Sequence, residues 1–369
     1  MNKLEMIVRP LLEWFGQNAR VLPWRDDPAP YRVWISEIMQ QHTRVEAVKP
    51  YYQRFMEALP TIGDLAVCEE DTLLKLWEGL GYYNRARNLQ AAARTVMEEY
   101  GGRLPEDWKE LQKLRGIGSY TAGAISSIAY GRRAPAVDGN VLRVISRVLC
   151  SREDILKQSV KKKMEEELLA VMPEGQAGAF NQALMELGAT VCVPNGAPHC
   201  GICPLKELCL AHAGDCTDCI PVKAARKPRR IEKKTVFVIR DQENCAVGRR
   251  PGKGLLAGLY ELPNTAGHLT QDEAVRWVKE QGFSPIRIRT LGPAKHIFSH
   301  VEWHMTGYLV IVEEQSRSGY IMTPPAFTEK MYPVPAAFAA YVRYLDIRLG
   351  QEKYSEDENE DFISCNTQL

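Results

Sequence analysis

A chain of 369 residues is too long for one small core, so two or three domains are expected. Hydrophobic residues at 45% and charged residues at 25% exclude a fibrous or largely disordered polypeptide, and no apolar run approaches the length of a membrane span. The net charge of +1 neither favours nor excludes nucleic acid, because a binding groove needs only a local basic surface.

The opening segment reads as an amphipathic helix, with Leu4, Ile7, Val8, Leu11, Leu12 and Phe15 on one face. It shows no signal-cleavage pattern, and the expected location is the cytoplasm, at a bacterial-type nucleoid. Helical spacing continues to about residue 215, through Val45, Val48, Tyr52, Phe55 and Leu59 and again through Leu89, Ala93, Val96 and Met97. The first domain, residues 1–220, is therefore expected to be all-α. Read by spacing alone, Glu37 in WISEIM is a solvated helix charge and Tyr82 in GLGYYNRARNL a packing residue. Trp24, Arg25 and Gln182 read as a core Trp, a surface Arg and a helix-surface Gln.

Residues 107–131 read as helix, tight turn, helix: WKELQKL, then Arg115-Gly116-Ile117-Gly118, then SYTAGAISSIAYG. Gly116 and Gly118 are both free to take positive φ, with Ile117 plugging down between the helices. Such a turn aims backbone N–H groups outward at a helix N-terminus, where phosphate binds without sequence preference. A plain glycine-capped helix turn is the competing reading. Further on, Asp138 in AVDGNV stands at the start of a helix whose inward positions include Val141, Ile145 and Val148. Taken alone it is an N-cap.

Ten cysteines without an export signal argue against a disulfide framework and toward metal or redox use, and six of them lie between 192 and 219. Cys192, Cys200, Cys203 and Cys209 are spaced C-x7-C-x2-C-x5-C, a thiolate-only set that suits a 4Fe-4S cluster or a structural zinc. Cys216 and Cys219 add a second C-x2-C pair. Residues 221–234, PVKAARKPRRIEKK, read as a basic linker. Beyond it, residues 235–345 read as α+β, with strands at TVFVIR, IRIRTL and TGYLVIV and helices at QDEAVRWVKEQG and AFAAYVRYLDIRL. Residues 346–369 form an acidic tail expected to be disordered.

With LxGIGxxTAxAI around the hairpin and VDxxV after it, the chain resembles the helix-hairpin-helix glycosylase superfamily. In that superfamily the aspartate at the Asp138 position stabilises the cationic sugar when a base leaves. Members similar to endonuclease III carry a Schiff-base lysine where Tyr120 stands. Tyrosine forms no imine, so a monofunctional hydrolase that leaves an abasic site is expected. Residues 22–45, LPWRDDPAPYRVWISEIMQQHTRV, closely resemble the adenine DNA glycosylase (MutY) family, which removes adenine paired with 8-oxoguanine. Adenine leaves poorly until a ring nitrogen is protonated, which calls for a carboxylic acid of raised pKa beside N7 and an ionised carboxylate near C1′. The resemblance assigns these roles to Glu37 and Asp138, with Tyr120 and Asn140 in support.

The same resemblance implies a flipped adenine in a pocket lined by Trp24, Arg25 and Gln182, and an aromatic wedge at Tyr82. It implies further DNA contacts at Gly116, Ile117, Gly118, His42, Thr43 and Leu80. His42 departs from the family, where a glutamine normally fills the duplex gap near 8-oxoguanine. The family's cysteine spacing, C-x6-C-x2-C-x5-C, holds a 4Fe-4S cluster, so Cys192 to Cys200 is one residue longer here; Lys206 is expected to touch phosphate. GLLAGLYELPN followed by QDEAVRWVKEQG resembles a Nudix domain whose magnesium-binding carboxylates are mostly gone, in residues 276–282 above all. Such a domain is implied to read 8-oxoguanine through Phe298-Ser299-His300, with Ser299 bonding N7-H and O8. The resemblance spans about residues 5–345. It implies a multidomain chain: an all-α helix-hairpin-helix glycosylase domain with an iron-sulfur module, plus an α+β Nudix-like domain. As partner it implies double-stranded DNA with A:8-oxoguanine or A:G mispairs in base excision repair, bound by a monomer with no membrane association.

Overall fold

The computed structural model describes residues 3–225, 228–313 and 318–350. Most of the segment read as an acidic tail, residues 351–369, lies outside them. The chain divides into two compact units: Met1–Val67 with Arg87–Arg226, and Cys68–Ala86 with Lys227–Leu369.

The first unit is built from helices. Lys3–Asn18 and Gly139–Val148 both pack on Ala177–Thr190. Leu4, Ile7 and Leu11 are buried at helical spacing against Val141, Ile145 and Leu184. Val8, Leu12 and Phe15 flank that stripe and are partly buried. A small residue lets two of these helices meet closely: a Cβ on Gly188 would stand 2.5 Å from Cβ of Asn140. That approach sets the start of Gly139–Val148 against the last turn of Ala177–Thr190.

The second unit carries a mixed sheet. Its strands are β1 (Arg230–Arg240), β2 (Cys245–Arg249), β3 (Tyr260–Glu261), β4 (Asn264–Ala266), β5 (Pro285–Ile297), β6 (Val301–Val312) and β7 (Ile321–Thr323). The order is β3-β2-β1-β6-β5, with β4 paired to β1 and β7 to β2. β1 and β6 run parallel from Arg230 opposite Val301 to Arg240 opposite Ile311, and β5 returns antiparallel on β6. One face packs Val236, Val238 and Trp303 against Phe338 and Tyr341. The other packs Phe237 and Val310 against helix Gln271–Glu280, where Trp277 stacks on Phe237 at 4.3 Å.

Three expectations are corrected. β1 begins at Arg230, inside the stretch read as linker. The charges of that basic run have partners on the sheet: Arg230 pairs with Glu232, and Lys234 lies 4.6 Å above the Trp303 ring. The single helix expected at AFAAYVRYLDIRL is instead two short 3-10 turns around Ala339–Val342, ended by Asp346 in the left-handed region at φ 56°. Residues 68–86, read as part of the helical domain, group with the second unit. Buried Glu78 accepts the Val334 N–H at 2.8 Å and pairs with Lys75, which also reaches the Tyr332 carbonyl at 2.9 Å. Asp71 takes Arg249 at 2.9 Å and the Tyr260 hydroxyl at 3.2 Å.

Candidate active site and cysteine module

Glu37 lies on helix Pro30–Gln40 with its side chain turned inward, 6% exposed. Tyr120 stands in the first turn of Ser119–Ala124, and Asp138 caps Gly139–Val148. The Tyr120 hydroxyl donates to Glu37 Oε2 and lies 3.2 Å from Met185 Sδ. Burial pushes the Glu37 carboxyl up from 4.5 to about 7; the nearby Asp138 charge adds to this, while the Tyr120 hydrogen bond and Arg25 pull against it. The Tyr120 hydroxyl is itself held well above its usual range by burial and by the charges of Glu37 and Asp138, so it stays a donor.

Asp138 is solvated by the protein. Its Oδ1 accepts the backbone N–H groups of Asn140 at 2.9 Å and Val141 at 2.8 Å, and its Oδ2 accepts Asn140 Nδ2 at 2.7 Å. Burial raises its pKa, opposed by these donors and by Arg143. The two carboxyls thus differ in kind: Glu37 is placed to hold a proton near neutrality, Asp138 to carry charge.

Beside them, Arg25 donates to Gln182 Oε1 at 3.0 Å, to the Arg20 carbonyl at 2.9 Å and to Glu186 Oε2 at 2.8 Å. Arg20 closes the other side of Glu186 at 2.6 Å. Burial would raise the Glu186 carboxyl, but the two guanidinium groups outweigh it and hold its pKa low. Trp24 is buried edge-on against Tyr52 at 5.3 Å. The sequence reading missed Glu186 and Arg143. Each is a charged residue on the apolar stripe of its helix, within FNQALMELGA and GNVLRVISRV, and a buried charge there requires partners.

The hairpin differs from expectation in one respect. Gly116 takes φ 82°, where a Cβ would meet Asn88 Cβ at 2.7 Å, but Gly118 is extended at φ −89° and borders open space. Gly118 is the N-cap of Ser119–Ala124, so its missing side chain leaves the helix N-terminus uncovered. Ile117 is buried between the helices. Gln41 Nε2 donates to Thr121 Oγ1 at 3.3 Å, and next to it His42 adopts a left-handed φ of 64°. The Thr43 N–H closes the turn on Gln40 O at 3.3 Å.

Within the second unit, Leu80 is buried, 6% exposed, so a DNA contact there would run through backbone. Tyr82 is 52% exposed, with φ 46°. The Phe298-Ser299-His300 turn joins β5 to β6, closed by Phe298 N–H on Val301 O at 2.9 Å. Phe298 is anchored edge-on between His296 and Trp303, leaving Ser299 and His300 exposed. Ser299 Oγ lies 2.7 Å from Tyr82 Oη. In helix Gln271–Glu280, Glu273 is spent on a capping box with Thr270.

Cys192, Cys200, Cys203 and Cys209 line one cavity together with Arg147, Lys206 and His212. Arg147 Nη1 reaches Cys192 Sγ at 3.2 Å, and Cys209 Sγ lies 3.4 Å from the Arg147 carbonyl. Burial pushes the Cys203 thiol up to about 12, and the neighbouring three cysteines add to it, so thiolates here need a bound cation. Among the described residues, no three His, Cys, Asp or Glu side chains converge as a single ion requires. A zinc ion would draw four sulfurs to about 2.3 Å from one point. Four thiols that line one cavity suit a bound metal centre.

Comparison with known proteins agrees with this geometry. The profile of the HhH-GPD superfamily base excision DNA repair proteins matches residues 35–170, and that of the NUDIX domain residues 235–344. A thermostable thymine-DNA glycosylase of known structure superposes with a TM-score of 0.52 at 30% identity, over 57% of this chain and 97% of that one. Endonuclease III trapped covalently on DNA gives 0.50 at 26%, over 58% and 99%. Fold, hairpin and paired carboxyls define a base-excision DNA glycosylase with an appended Nudix-like domain. Rat adenine DNA glycosylase is 35% identical over 84% of this chain and 71% of its own length. The human protein is 34% identical over 93% and 74%, and that of Buchnera aphidicola (strain Bp) 32% identical over 83% and 86%. The chain belongs to the adenine DNA glycosylase family.

Proposed function

We propose that this chain flips adenine out of duplex DNA and hydrolyses its bond to deoxyribose, choosing adenine opposite 8-oxoguanine or guanine and leaving an abasic site. The observation that carries the proposal is the buried Glu37 carboxyl, with a pKa of about 7, held by Tyr120 beside Asp138. An acid poised near neutrality protonates the departing purine, while the ionised Asp138 stabilises positive charge growing on the sugar. Tyr120 orients the acid and, unlike lysine, forms no imine, so attack falls to water. Arg25, locked to both Gln182 and Glu186, lines the space for the flipped base together with Gln182, with Trp24 behind them. The exposed Gly118 N-terminus grips phosphate, and the Ser299 turn reads the base opposite.

Cys192, Cys200, Cys203 and Cys209 are proposed to hold a 4Fe-4S cluster. When bound it supplies a cross-link that fixes their loop, with Lys206 left to meet phosphate; hydrolysis needs no electrons from it. A duplex containing A:8-oxoguanine, incubated with the enzyme and then with alkali, tests the activity. A break at adenine that requires alkali is expected; no break refutes adenine release, and a break without alkali refutes hydrolysis by water. A visible iron-sulfur absorption band with iron by elemental analysis tests the cluster, and zinc without iron overturns it.

A further inference from the structure

Cys150, Cys216 and Cys219 stand apart from the four cysteines that share the cavity. We propose that Cys150 and Cys216 are a modification site: a dithiol that small-molecule disulfides oxidise to an internal disulfide, with the exposed Cys219 as the entry thiol.

The geometry is already close. The two Sγ atoms are 3.4 Å apart, against about 2.05 Å once bonded, so the sulfurs are already in contact before closure. Both segments are pinned. Cys150 follows the Gly139–Val148 helix in a left-handed turn, φ 52°, with its N–H on Arg147 O at 3.2 Å. Cys216 follows Leu210–Ala213, its N–H on Ala211 O at 2.9 Å. From the helix side, Arg147 Nε bonds Thr217 O at 3.0 Å and Ile220 O at 2.8 Å, which docks the residues after Cys216 beside Cys150. A turn from Cys216 O to Cys219 N–H, 3.2 Å, keeps the third cysteine near enough for its charge to act on Cys216. The contact with Cys150 raises the Cys216 thiol above its ordinary value, and the Arg152 cation offsets this in part. Cys150 and Cys216 are partly exposed and Cys219 exposed, so a small oxidant reaches them.

The exchange runs in two displacements. A cysteine thiolate attacks glutathione disulfide, forming a mixed disulfide and releasing one glutathione thiolate. The neighbouring thiolate then attacks the protein sulfur of that mixed disulfide and releases the second. Starting at Cys219, one further exchange passes the bond to Cys216 and Cys150. Overall two cysteine sulfurs are oxidised, one glutathione disulfide is reduced, and the two cysteine protons end on two glutathione molecules. The bond closes a loop that contains all four cavity cysteines, and so staples their module to the helix capped by Asp138.

The test uses the full chain as purified, equilibrated with glutathione disulfide, which spares a bound metal better than peroxide does. Free thiols are blocked, and the digest is sequenced by mass spectrometry. A Cys150–Cys216 cross-linked peptide is expected, absent in Cys150→Ser and in Cys216→Ser, both of which keep base-release activity. Oxidised wild type should melt at a higher temperature than reduced, with no difference in Cys150→Ser. Glutathione retained on Cys219 alone, a bond from Cys150 to Cys209, or no cross-link at all would each overturn the proposal. So would zinc bound by these three cysteines and lost in both variants.

Discussion

Replacing Glu37 by glutamine should make the protein more stable as well as inactive, and the gain should depend on pH. Burial moves the Glu37 carboxyl from 4.5 to about 7 in the folded state. The folded protein therefore holds this proton more tightly than the unfolded chain, and the associated stability is complete below about pH 4.5 and lost as pH rises toward 7. Above that, ionised Glu37 costs about 3 kcal/mol relative to its neutral form, at about 1.36 kcal/mol per pKa unit. Glutamine has nearly the same shape, accepts the Tyr120 hydroxyl through its own oxygen, and never ionises. Urea unfolding of wild type and Glu37→Gln should then differ by under about 1 kcal/mol at about pH 5 and by about 3 kcal/mol at about pH 8. The variant should still bind the mismatched duplex and release no adenine. A stability gap that is flat with pH, or a variant less stable than wild type above neutrality, would refute the account of Glu37 as a strained, buried acid.

Tyr120→Phe removes a hydrogen bond that favours the ionised acid, so the alkaline limb of the base-release rate should move up by about one to two pH units; a downward move contradicts the assigned geometry. Gly116→Ala forces a left-handed alanine onto Asn88 and should destabilise the fold by about 1–2 kcal/mol or more. Gly118→Ala should melt like wild type yet bind every duplex more weakly, and equal binding would remove Gly118 from the phosphate contact. Ser299→Ala should narrow the preference for adenine opposite 8-oxoguanine over adenine opposite guanine in competition assays, and an unaltered ratio counts against the turn as lesion reader.

Elements with strong local signals were legible in the sequence. The stripe of Leu4, Ile7 and Leu11, the unbroken apolar run of residues 236–239 in β1 and the alternation in β6 report their own burial. The hairpin was legible down to the plug at Ile117, because glycines around a lone apolar residue leave few backbone choices. What depends on distant partners was not. Glu37 has the spacing of a surface charge, and only the approach of Tyr120 and Asp138, 83 residues from it in the case of Tyr120, makes it an acid. The allegiance of residues 68–86 follows from Glu78 and Asp71 meeting groups on Val334, Arg249 and Tyr260, which no local pattern encodes. The start of β1 looked like linker because its cations Arg230 and Lys234 are matched only once the sheet forms.

Helix Gly139–Val148 gives the cysteine module a reason to sit where it does. At its N-terminus Asp138 is fixed by Asn140 and Val141. One turn on, Arg143 donates to Asn140 Oδ1 at 2.9 Å and also to Gly188 O at 2.7 Å and Cys192 O at 2.8 Å. A turn further, Arg147 holds Cys192 Sγ and Val193 O, both at 3.2 Å. Both arginines are buried, so their charges require these carbonyls, and those of Cys192 and Val193 lie where they do only while the cysteine loop is folded. Loosening the loop would take the Cys192 carbonyl from Arg143, whose bond to Asn140 Oδ1 leads on to the donor that holds Oδ2 of Asp138. The cysteine loop is thereby joined, through Arg143 and Asn140, to the aspartate that caps this helix.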